Sequence, residues 1–257
     1  MALLLIALLG LVPTAFSDSN PQLLYTQNVF LTPQVYTSCH DAWEDGFREP
    51  GIFPILFESA HRPSSWRFIF CNNSEAHSTT IILLRRTGGE SFERSFREFE
   101  AGFGLAKTDY FLGLEHIHVL TRRGLNRLRI SVRDATGDLR QIAYEFFKLK
   151  GPPDYAFGLS APGEGTLPDD FWFHRNLPFR APGNLDSRGD GSSCANATGT
   201  GFWFQKEGPC AFALLTGNFR PNRSMCHSRM PYPICNGLYW VDWTGYRTLE
   251  HVIMELY

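Results

Sequence analysis

The sequence carries almost no net charge. Its 24 lysines and arginines nearly balance 26 aspartates and glutamates, for a formal charge of −2. It therefore offers no electrostatic basis for binding nucleic acid or an anionic membrane. It also lacks the G-x-S-x-G, H-E-x-x-H and P-loop patterns, and no catalytic site is predicted. No C-x-x-C pair occurs, so neither a zinc ribbon nor a thioredoxin-like motif is indicated.

Apolar and aromatic side chains, by contrast, are abundant. Hydrophobic residues make up 43% of the chain, and 22 of its residues are phenylalanine. Such a composition supplies a packed core and is the opposite of that of a disordered chain. A length of 257 residues accommodates one large domain or two small ones.

The N-terminus has the pattern of a secretory signal peptide. Met1–Leu11 is an apolar run too short to span a bilayer, and Ala15 and Ser17 place small residues where a signal peptidase reads them. We predict a signal peptide over residues 1–17 and secretion of the protein; the alternative is a buried N-terminal helix. Residues 18–38 contain neither heptads nor Gly-X-Y repeats, so they are not an oligomerisation stalk by themselves. They are predicted to form an arm that is mobile or docks on an edge of the fold.

The six cysteines support the same compartment. An even number in a chain that carries an export signal favours three disulfides. Three N-x-[ST] sequons add predicted glycosylation sites, at Asn72, Asn196 and Asn222. The first two lie next to cysteines in turn-like sequence, where a glycan would be tolerated.

The periodicity predicts an α+β fold built on an antiparallel meander. Runs typical of strands occur at Gly51–Phe57, Trp66–Phe70, Thr79–Arg86, Asp109–Leu114, Arg127–Val132, Gln141–Lys148, Gly237–Thr244 and His251–Leu256. In Gln141–Lys148, the side chains of Ile142, Tyr144 and Phe146 are expected on one face. One helix is predicted over Ser91–Gly104, because its phenylalanines recur at steps of four, three and four, at Phe92, Phe96, Phe99 and Phe103. This phenylalanine stripe is interpreted as core.

The stretch from Leu185 to Cys210 is the strongest candidate for a functional site. A loop of Asp, Gly and Ser precedes Cys194, and the aromatic run Phe202–Phe204 follows before Cys210. Asp and Gly are the materials of a calcium loop or of an exposed recognition loop. Residues 161–190, before and within it, are rich in Gly, Pro and Asp with little periodicity, as functional loop regions often are.

Two other constellations are weaker. His116 and His118 would share one face of a strand and form a metal pair, although no third ligand is evident and core or surface histidines are the simpler interpretation. Arg188, Gly189 and Asp190 together spell Arg-Gly-Asp, an integrin-binding tripeptide, in a loop that is expected to be exposed.

Many short motifs occur in the order and spacing of one known family. They are Ile82–Arg86, Ser91–Gly104, Tyr110–His118, Leu128–Asp134, Tyr144–Lys148, Asp154–Tyr155, Cys194–Ala195, Gly201–Phe204, Cys210, Asn236–Trp240 and Trp243. With these motifs the sequence resembles the fibrinogen C-terminal domain family of fibrinogen chains, ficolins, angiopoietins, tenascins and fibrinogen-like proteins. The resemblance implies one domain over residues 39–257: a twisted antiparallel sheet with a packed helix, a small disulfide-tied N-terminal subdomain and an irregular C-terminal loop subdomain.

The resemblance also implies a pairing of the cysteines. Cys39–Cys71 and Cys194–Cys210 match the two disulfides of the family. Cys226–Cys235 is then an additional local pair, with an intermolecular bridge through either cysteine as the alternative.

A secreted recognition module, and not an enzyme, is the function that the resemblance implies. Members bind peptides, receptors or acetylated glycans through a loop subdomain that calcium stabilises. The corresponding calcium positions here are Asp186, Arg188, Asp190 and Ser192. The second acid is replaced by Arg188, whose charge would repel calcium, so Asp186, Asp190 and Ser192 form at most a degenerate calcium loop. The alternative is a loop held by the disulfide and its own hydrogen bonds.

The ligand pocket departs from the family pattern as well. Many members carry histidine directly after the fourth cysteine and then Ser-Asn-Leu-Asn-Gly, whereas this chain reads Cys210-Ala-Phe-Ala-Leu-Leu-Thr-Gly217. The acid that some members place before Asn-Gly is Cys235. Hydrogen-bonding groups for an acetyl or amine ligand are thereby replaced by apolar ones, which favours an apolar protein-contact surface.

Three functions follow in order of preference. The first is a secreted ligand that binds a cell-surface receptor or an extracellular-matrix protein, as fibrinogen-like and angiopoietin-like members do. The second is a calcium-dependent, ficolin-like lectin for acetylated glycans, which would need avidity from several copies. The third is a matrix component that uses the tripeptide Arg188-Gly189-Asp190, residues that cannot easily serve both an integrin and calcium.

Overall fold

The computed structural model describes residues 28–30, 34–58, 63–183, 192–206, 208–219, 226–227 and 232–257. Ten of the described strands form a single mixed sheet. In chain order they are β1 (Asn28–Val29), β2 (Gly51–Phe57), β3 (Ser65–Asn73), β4 (Ser78–Arg85), β5 (Phe103–Gly104), β6 (Tyr110–Phe111), β7 (Leu128–Arg133) and β8 (Leu139–Tyr144), followed by β11 (Pro162–Gly165) and β16 (His251–Leu256) beyond the short strands named below.

The C-terminal strand β16 lies in the middle of this sheet. The order is β1-β2-β3-β4-β16-β7-β8-β11, with β6 attached to β4 and β5 to β6. The β1–β2 pair is parallel, and the other pairs of this sheet are antiparallel. The strand β16 pairs with β4 on one edge and β7 on the other, and every one of its residues is buried. The described part of the N-terminal arm runs along the outer edge of β2.

Short elements complete the chain outside the main sheet. The strands are β9 (Phe147–Leu149), β10 (Phe157–Leu159), β12 (Ala213–Leu214), β13 (Cys226–His227), β14 (Ile234–Cys235) and β15 (Tyr239–Trp240). The helices are α1 (Cys39–Glu44), α2 (Phe96–Ala101), α3 (Leu114–Arg122), α4 (Ser192–Thr198) and α5 (Val241–Thr244), with a 3-10 turn at Phe171–His174. Helices and an antiparallel sheet share one core, so the predicted α+β class is confirmed.

Three disulfides join the pairs that the resemblance implied. Cys39–Cys71 ties α1 to β3, and Cys194–Cys210 ties α4 to the segment before β12. Cys226–Cys235 links the antiparallel strands β13 and β14 within the chain.

The predicted helix over Ser91–Gly104 is too long. Ser95 caps the N-terminus of α2: its hydroxyl accepts the N–H of Glu98, and the Glu98 carboxylate accepts the N–H of Ser95. The helix ends at Gly102, whose φ of +82° and close approach to the Leu112 carbonyl exclude a side chain. The phenylalanine stripe is core as predicted, with two members buried and two packed against the core, although Phe92 precedes the helix and Phe103 lies in β5.

Three predicted strands are also corrected. Asp109–Leu114 contains only the short strand β6, and Leu114 begins α3. Gln141–Lys148 is broken between β8 and β9, which leaves Phe146 exposed and buries Phe147 in its place. Gly237–Thr244 divides into β15 and the helical turn α5.

Candidate recognition site in the loop subdomain

The aromatic run between Cys194 and Cys210 belongs to the core. Phe202, Trp203 and Phe204 are all buried. The backbone of Phe202 exchanges two hydrogen bonds of 2.9 Å with Arg180, and the indole of Trp203 donates to the Tyr155 carbonyl at 2.7 Å. These contacts make the run the frame of the loop subdomain, by which we mean the described residues from 166 to 245, and leave it no binding face.

The segment after Cys210 is buried on the same frame. Ala211 has 1% of its surface exposed, and Ala213, Leu214 and Leu215 have none, because β12 pairs with β15 in the interior. The hydroxyl of Thr216 is also buried and donates to the Gly201 carbonyl at 2.7 Å. The apolar contact surface expected from this segment is therefore not formed by Ala211, Ala213, Leu214 and Leu215, which pack inside the core and offer no hydrogen bond to a ligand.

His174 holds this segment in place from behind. Its Nε2 accepts the backbone N–H groups of Phe212 and Ala213, each at 3.2 Å, so the proton lies on Nδ1, which donates to the Trp203 carbonyl at 2.7 Å. Burial lowers the pKa of His174 to about 4, and the imidazole is neutral at physiological pH. A neutral histidine thus fixes both the aromatic frame and the strand that follows Cys210.

An aromatic surface lies directly on this support; Phe173 is its exposed member, and Trp172, Arg175 and Phe212 are half-buried. The rings of Phe173 and Phe212 stack with centroids 4.3 Å apart, and 46% of Phe173 is exposed. The guanidinium of Arg175 lies 3.6 Å over the ring of the neighbouring Trp172. We call Trp172, Phe173, Arg175 and Phe212 the aromatic surface. Aromatic and arginine side chains are enriched at the energetic centres of protein interfaces.

Two aspartates anchor the backbone beneath the aromatic surface. The Asp169 carboxylate accepts the N–H of Trp172 at 3.1 Å. Its neighbour Asp170 is buried and accepts the N–H of Asp242, in α5, at 2.8 Å. Burial and the nearby Asp242 carboxylate raise the pKa of Asp170 to about 7, although the N–H bond from Asp242 acts in the opposite direction. The turn that carries Trp172 and Phe173 is thereby attached to α5.

Residues 35–256 match the family model for the C-terminal globular domain of fibrinogen beta and gamma chains. The chain belongs to this family. Fibrinogen-like protein 1 of Bos taurus is 26% identical over 238 residues, covering 86% of this chain and 72% of that protein. Microfibril-associated glycoprotein 4 of Bos taurus is 26% identical over 231 residues, covering 87% and 85%. The solved fibrinogen-like globe domain of human ANGPTL2 superposes with a TM-score of 0.70 at 25% identity, covering 86% and 98%.

The fibrinogen-like calcium loop lies mostly outside the described residues. Asp186 and Asp190 fall in the undescribed range 184–191, and Ser192 is the first residue of α4. Within the part of the chain that the structure describes, no group of three or more His, Cys, Asp or Glu side chains is arranged to hold a metal ion. The degenerate calcium loop therefore stays a prediction from the sequence.

The Arg-Gly-Asp tripeptide lies in the same undescribed range. Arg188, Gly189 and Asp190 all precede the first described residue of α4. The expected exposure of this loop and its use by an integrin accordingly stay predictions.

No helix among the described residues is long and apolar enough to cross a membrane.

The weaker interpretation of His116 and His118 as a metal pair is not supported, because both residues lie on the helix α3 and not on a strand. Residues two apart on α3 face different directions. His116 is buried and packs edge-on against Phe57, whereas His118 bonds through Nδ1 to the Leu149 carbonyl at 2.8 Å. The two imidazoles therefore do not form a common metal site.

The three sequons of the fibrinogen-like domain differ in their settings. Asn196 is exposed on α4. Asn72 lies inside β3 and not in a turn as predicted, half-buried with its amide 3.5 Å from the Glu255 carboxylate. Asn222 lies outside the described residues.

Sequence reasoning misses the residues that organise the site. His174 and Phe173 belong to a stretch that the sequence marks only as irregular loop, and no local pattern distinguishes them. The partners of His174 lie 38 and 39 residues further along the chain at Phe212 and Ala213, so only the tertiary fold brings them together.

Proposed function

We propose that this chain is a secreted, non-enzymatic recognition module that binds a cell-surface receptor or an extracellular-matrix protein. The observation that carries the proposal is the exchange of polar for apolar character around Cys210. Ala211, Ala213, Leu214 and Leu215 after this cysteine are buried hydrocarbon. Phe212 among them is half-buried and stacks on the exposed Phe173. A protein partner can bury such aromatic rings, whereas a small polar sugar needs hydrogen-bonding side chains, which the residues after Cys210 do not supply.

Secretion is supported by the three disulfides and by the signal-peptide pattern of residues 1–17. One relative is named as a microfibril-associated glycoprotein, which agrees with an extracellular setting. We propose removal of residues 1–17 and retention of residues 18–38 as an arm ahead of the globular domain. N-terminal sequencing of protein secreted by cultured cells tests this processing.

The function is tested by exposing the secreted protein to two arrays, one of receptor ectodomains and matrix proteins and one of acetylated glycans, each with and without EDTA. We expect capture by a protein in both conditions. Binding to acetylated glycans that EDTA abolishes would instead assign the ficolin-like function.

Variants then locate the binding surface on the captured partner. Phe173→Ala and Phe212→Ala remove the stacked rings, and each is expected to weaken binding by about 30-fold, the effect of a hot-spot truncation of about 2 kcal/mol. Leu139→Ala is the matched control, because Leu139 is an equally exposed apolar residue on β8. Equal losses in all three variants, or none, would contradict the assignment of the aromatic surface.

A further inference from the structure

The strand β3 has an open edge where its partners diverge. Along Gly51–Phe57 it pairs with β2 on one side. On the other side only Cys71–Asn73 pair with β4. Further along β4, Leu83 and Leu84 pair with β6 and not with β3. Within the part of the chain that the structure describes, the other edge of β3 therefore has no neighbouring strand from Ser65 to Phe70.

The backbone groups that face this opening can be identified from the ladder. On β2, the carbonyl of Ile52 accepts the N–H of Phe30, and the N–H of Leu56 donates to the carbonyl of Tyr36. The backbone N–H and C=O groups of even-numbered residues of β2 therefore point away from β3, and those of odd-numbered residues point towards it. Their antiparallel partners alternate in the same way. Arg67 and Ile69 thus bond to β2, whereas Trp66 and Phe68 direct their N–H and C=O groups to the open edge.

Neither residue has a backbone partner there. Among the described residues, no backbone–backbone hydrogen bond involves the outward groups of Trp66 or Phe68. The next outward residue, Phe70, already donates its N–H to the Tyr110 phenol. The free donors and acceptors are therefore concentrated at two alternate residues, the spacing at which an added strand would bond.

Trp66 and Phe68 at this edge are apolar and exposed, whereas Arg67 between them lines the adjoining cleft and its guanidinium donates to the Ala101 carbonyl. Trp66 is 51% and Phe68 is 57% exposed, and both lie on the outer face of the hairpin opposite Leu56 and Pro54 of β2. A cleft of about 190 Å³ separates this edge from β5 and β6, and its far wall includes Leu105, which is 68% exposed. Soluble proteins normally protect a strand edge with outward charges or proline, and neither Trp66 nor Phe68 supplies such protection.

We propose that the edge of β3 at Trp66 and Phe68 binds an extended segment of a partner polypeptide, which adds to the sheet as a further strand. Two alternate sets of backbone donors and acceptors match a peptide main chain, and an apolar small molecule would leave them unpaired. The exposed aromatic pair selects a segment with apolar side chains at every second position. This edge shares no residue with the aromatic surface, so the proposal is independent of the proposed receptor site.

The edge itself is tested first by hydrogen exchange of the secreted protein followed by NMR. In the free protein, the amides of Arg67 and Ile69 are expected to be protected, and those of Trp66 and Phe68 to exchange without protection. The probe is an acetylated, amidated hexapeptide of alternating threonine and valine. Its addition is expected to protect Trp66 and Phe68, and the same peptide N-methylated at alternate residues is expected to have no effect.

A pair of variants separates the backbone from the side chain. Phe68→Pro removes the outward N–H without touching the β2 ladder, as Pro54 already does at an outward position of β2. Phe68→Ala keeps that N–H and removes the ring. We expect Phe68→Pro to bind the hexapeptide about five- to tenfold more weakly than Phe68→Ala, the loss typical of one hydrogen bond.

Several results would overturn the proposal. They are protection of Trp66 and Phe68 in the free protein, absence of hexapeptide binding, equal binding by Phe68→Pro and Phe68→Ala, or equal binding of the N-methylated peptide. Sedimentation measures the remaining alternative: concentration-dependent dimers that Phe68→Pro dissolves would make a second copy of the chain the occupant of the edge.

Discussion

Replacing His174 with glutamine tests the buried support of the aromatic surface. The neutral imidazole accepts two backbone N–H groups at Nε2, and burial lowers its pKa to about 4. In the unfolded chain the same group titrates near its ordinary value of about 6.5. Between these values the unfolded state binds a proton that the folded state excludes. The stability is therefore lost as the pH falls from about 6.5 towards 4.

The magnitude follows from the two pKa values. At 1.36 kcal/mol for each pH unit, protonation of the unfolded state costs about 2 kcal/mol of stability at pH 5 and about 3 kcal/mol near pH 4. Two other groups titrate in this range. Burial, with the charges of Arg133 and Arg86, lowers the pKa of His251 to about 4, which adds a similar loss. The raised pKa of Asp170, about 7, acts in the opposite sense, because the folded state then binds the extra proton.

The contribution of His174 is isolated by comparing variants at two pH values. Guanidinium unfolding gives the free energy at pH 7.5 and at pH 5 for the wild type and for His174→Gln. Glutamine can still accept and donate hydrogen bonds but does not titrate. Between pH 7.5 and pH 5, the wild type is expected to lose about 2 kcal/mol more unfolding free energy than His174→Gln. His251→Gln should produce a similar, independent change. The same pH dependence in wild type and His174→Gln would refute the neutral, buried imidazole.

Three further predictions concern other parts of the molecule. Asp170→Asn removes a buried charge and should raise the unfolding free energy by about 4 kcal/mol at pH 8 and by less than half as much at pH 5, since the pKa of Asp170 is raised to about 7 from about 3.9 in the unfolded chain; a loss at pH 8 would contradict this. Replacing both Cys39 and Cys71 with alanine should lower the unfolding free energy, measured in guanidinium, by about 3–4 kcal/mol, as expected for a bridge that closes a loop of this length. A decrease below about 1 kcal/mol would contradict this prediction. Treatment of the secreted protein with a glycosidase should remove a glycan from Asn196, and Asn196→Gln but not Asn72→Gln should reduce the mass shift that the enzyme produces; an equal shift in wild type and Asn196→Gln would contradict this.

Strands of the sheet are predicted well where a short apolar run is bounded by turn residues, because such a run indicates a largely buried strand. Gly51–Phe57 and His251–Leu256 are strands with the bounds that their apolar patterns indicate. Helices are harder to place. Ser95 and Glu98 form a capping box whose residues are visible in the sequence. The phenylalanine pattern extends beyond the helix at both ends, so it places the start of the helix too early.

The helix α3 escapes prediction for a different reason. Leu114, Ile117 and Leu120 have helical spacing and are buried, but the preceding strand residues Tyr110 and Phe111 continue into them without a polar break. The boundary is set by Gly113, whose φ is +111° and whose added Cβ would lie 2.8 Å from the Ala101 backbone. That contact is tertiary, so no local pattern reports it.

The candidate site is predictable as a region and not in its residues. The sequence alone shows that apolar residues after Cys210 replace the polar ones of the family pattern. The burial of Ala211, the stacking of Phe212 on Phe173 and the role of His174 all depend on segments that are far apart in the chain. Which side chains are exposed there is decided by packing on the Trp203 frame.

The most direct test of the central claim is binding of the captured partner protein to wild type and to the Phe173→Ala, Phe212→Ala double variant, in EDTA and with an excess of free N-acetylated sugar. The account predicts that wild-type binding is unchanged by EDTA and by the sugar, and that the double variant loses it while remaining folded. Binding that EDTA or the sugar abolishes, with the double variant unaffected, would contradict recognition of a protein through the aromatic surface.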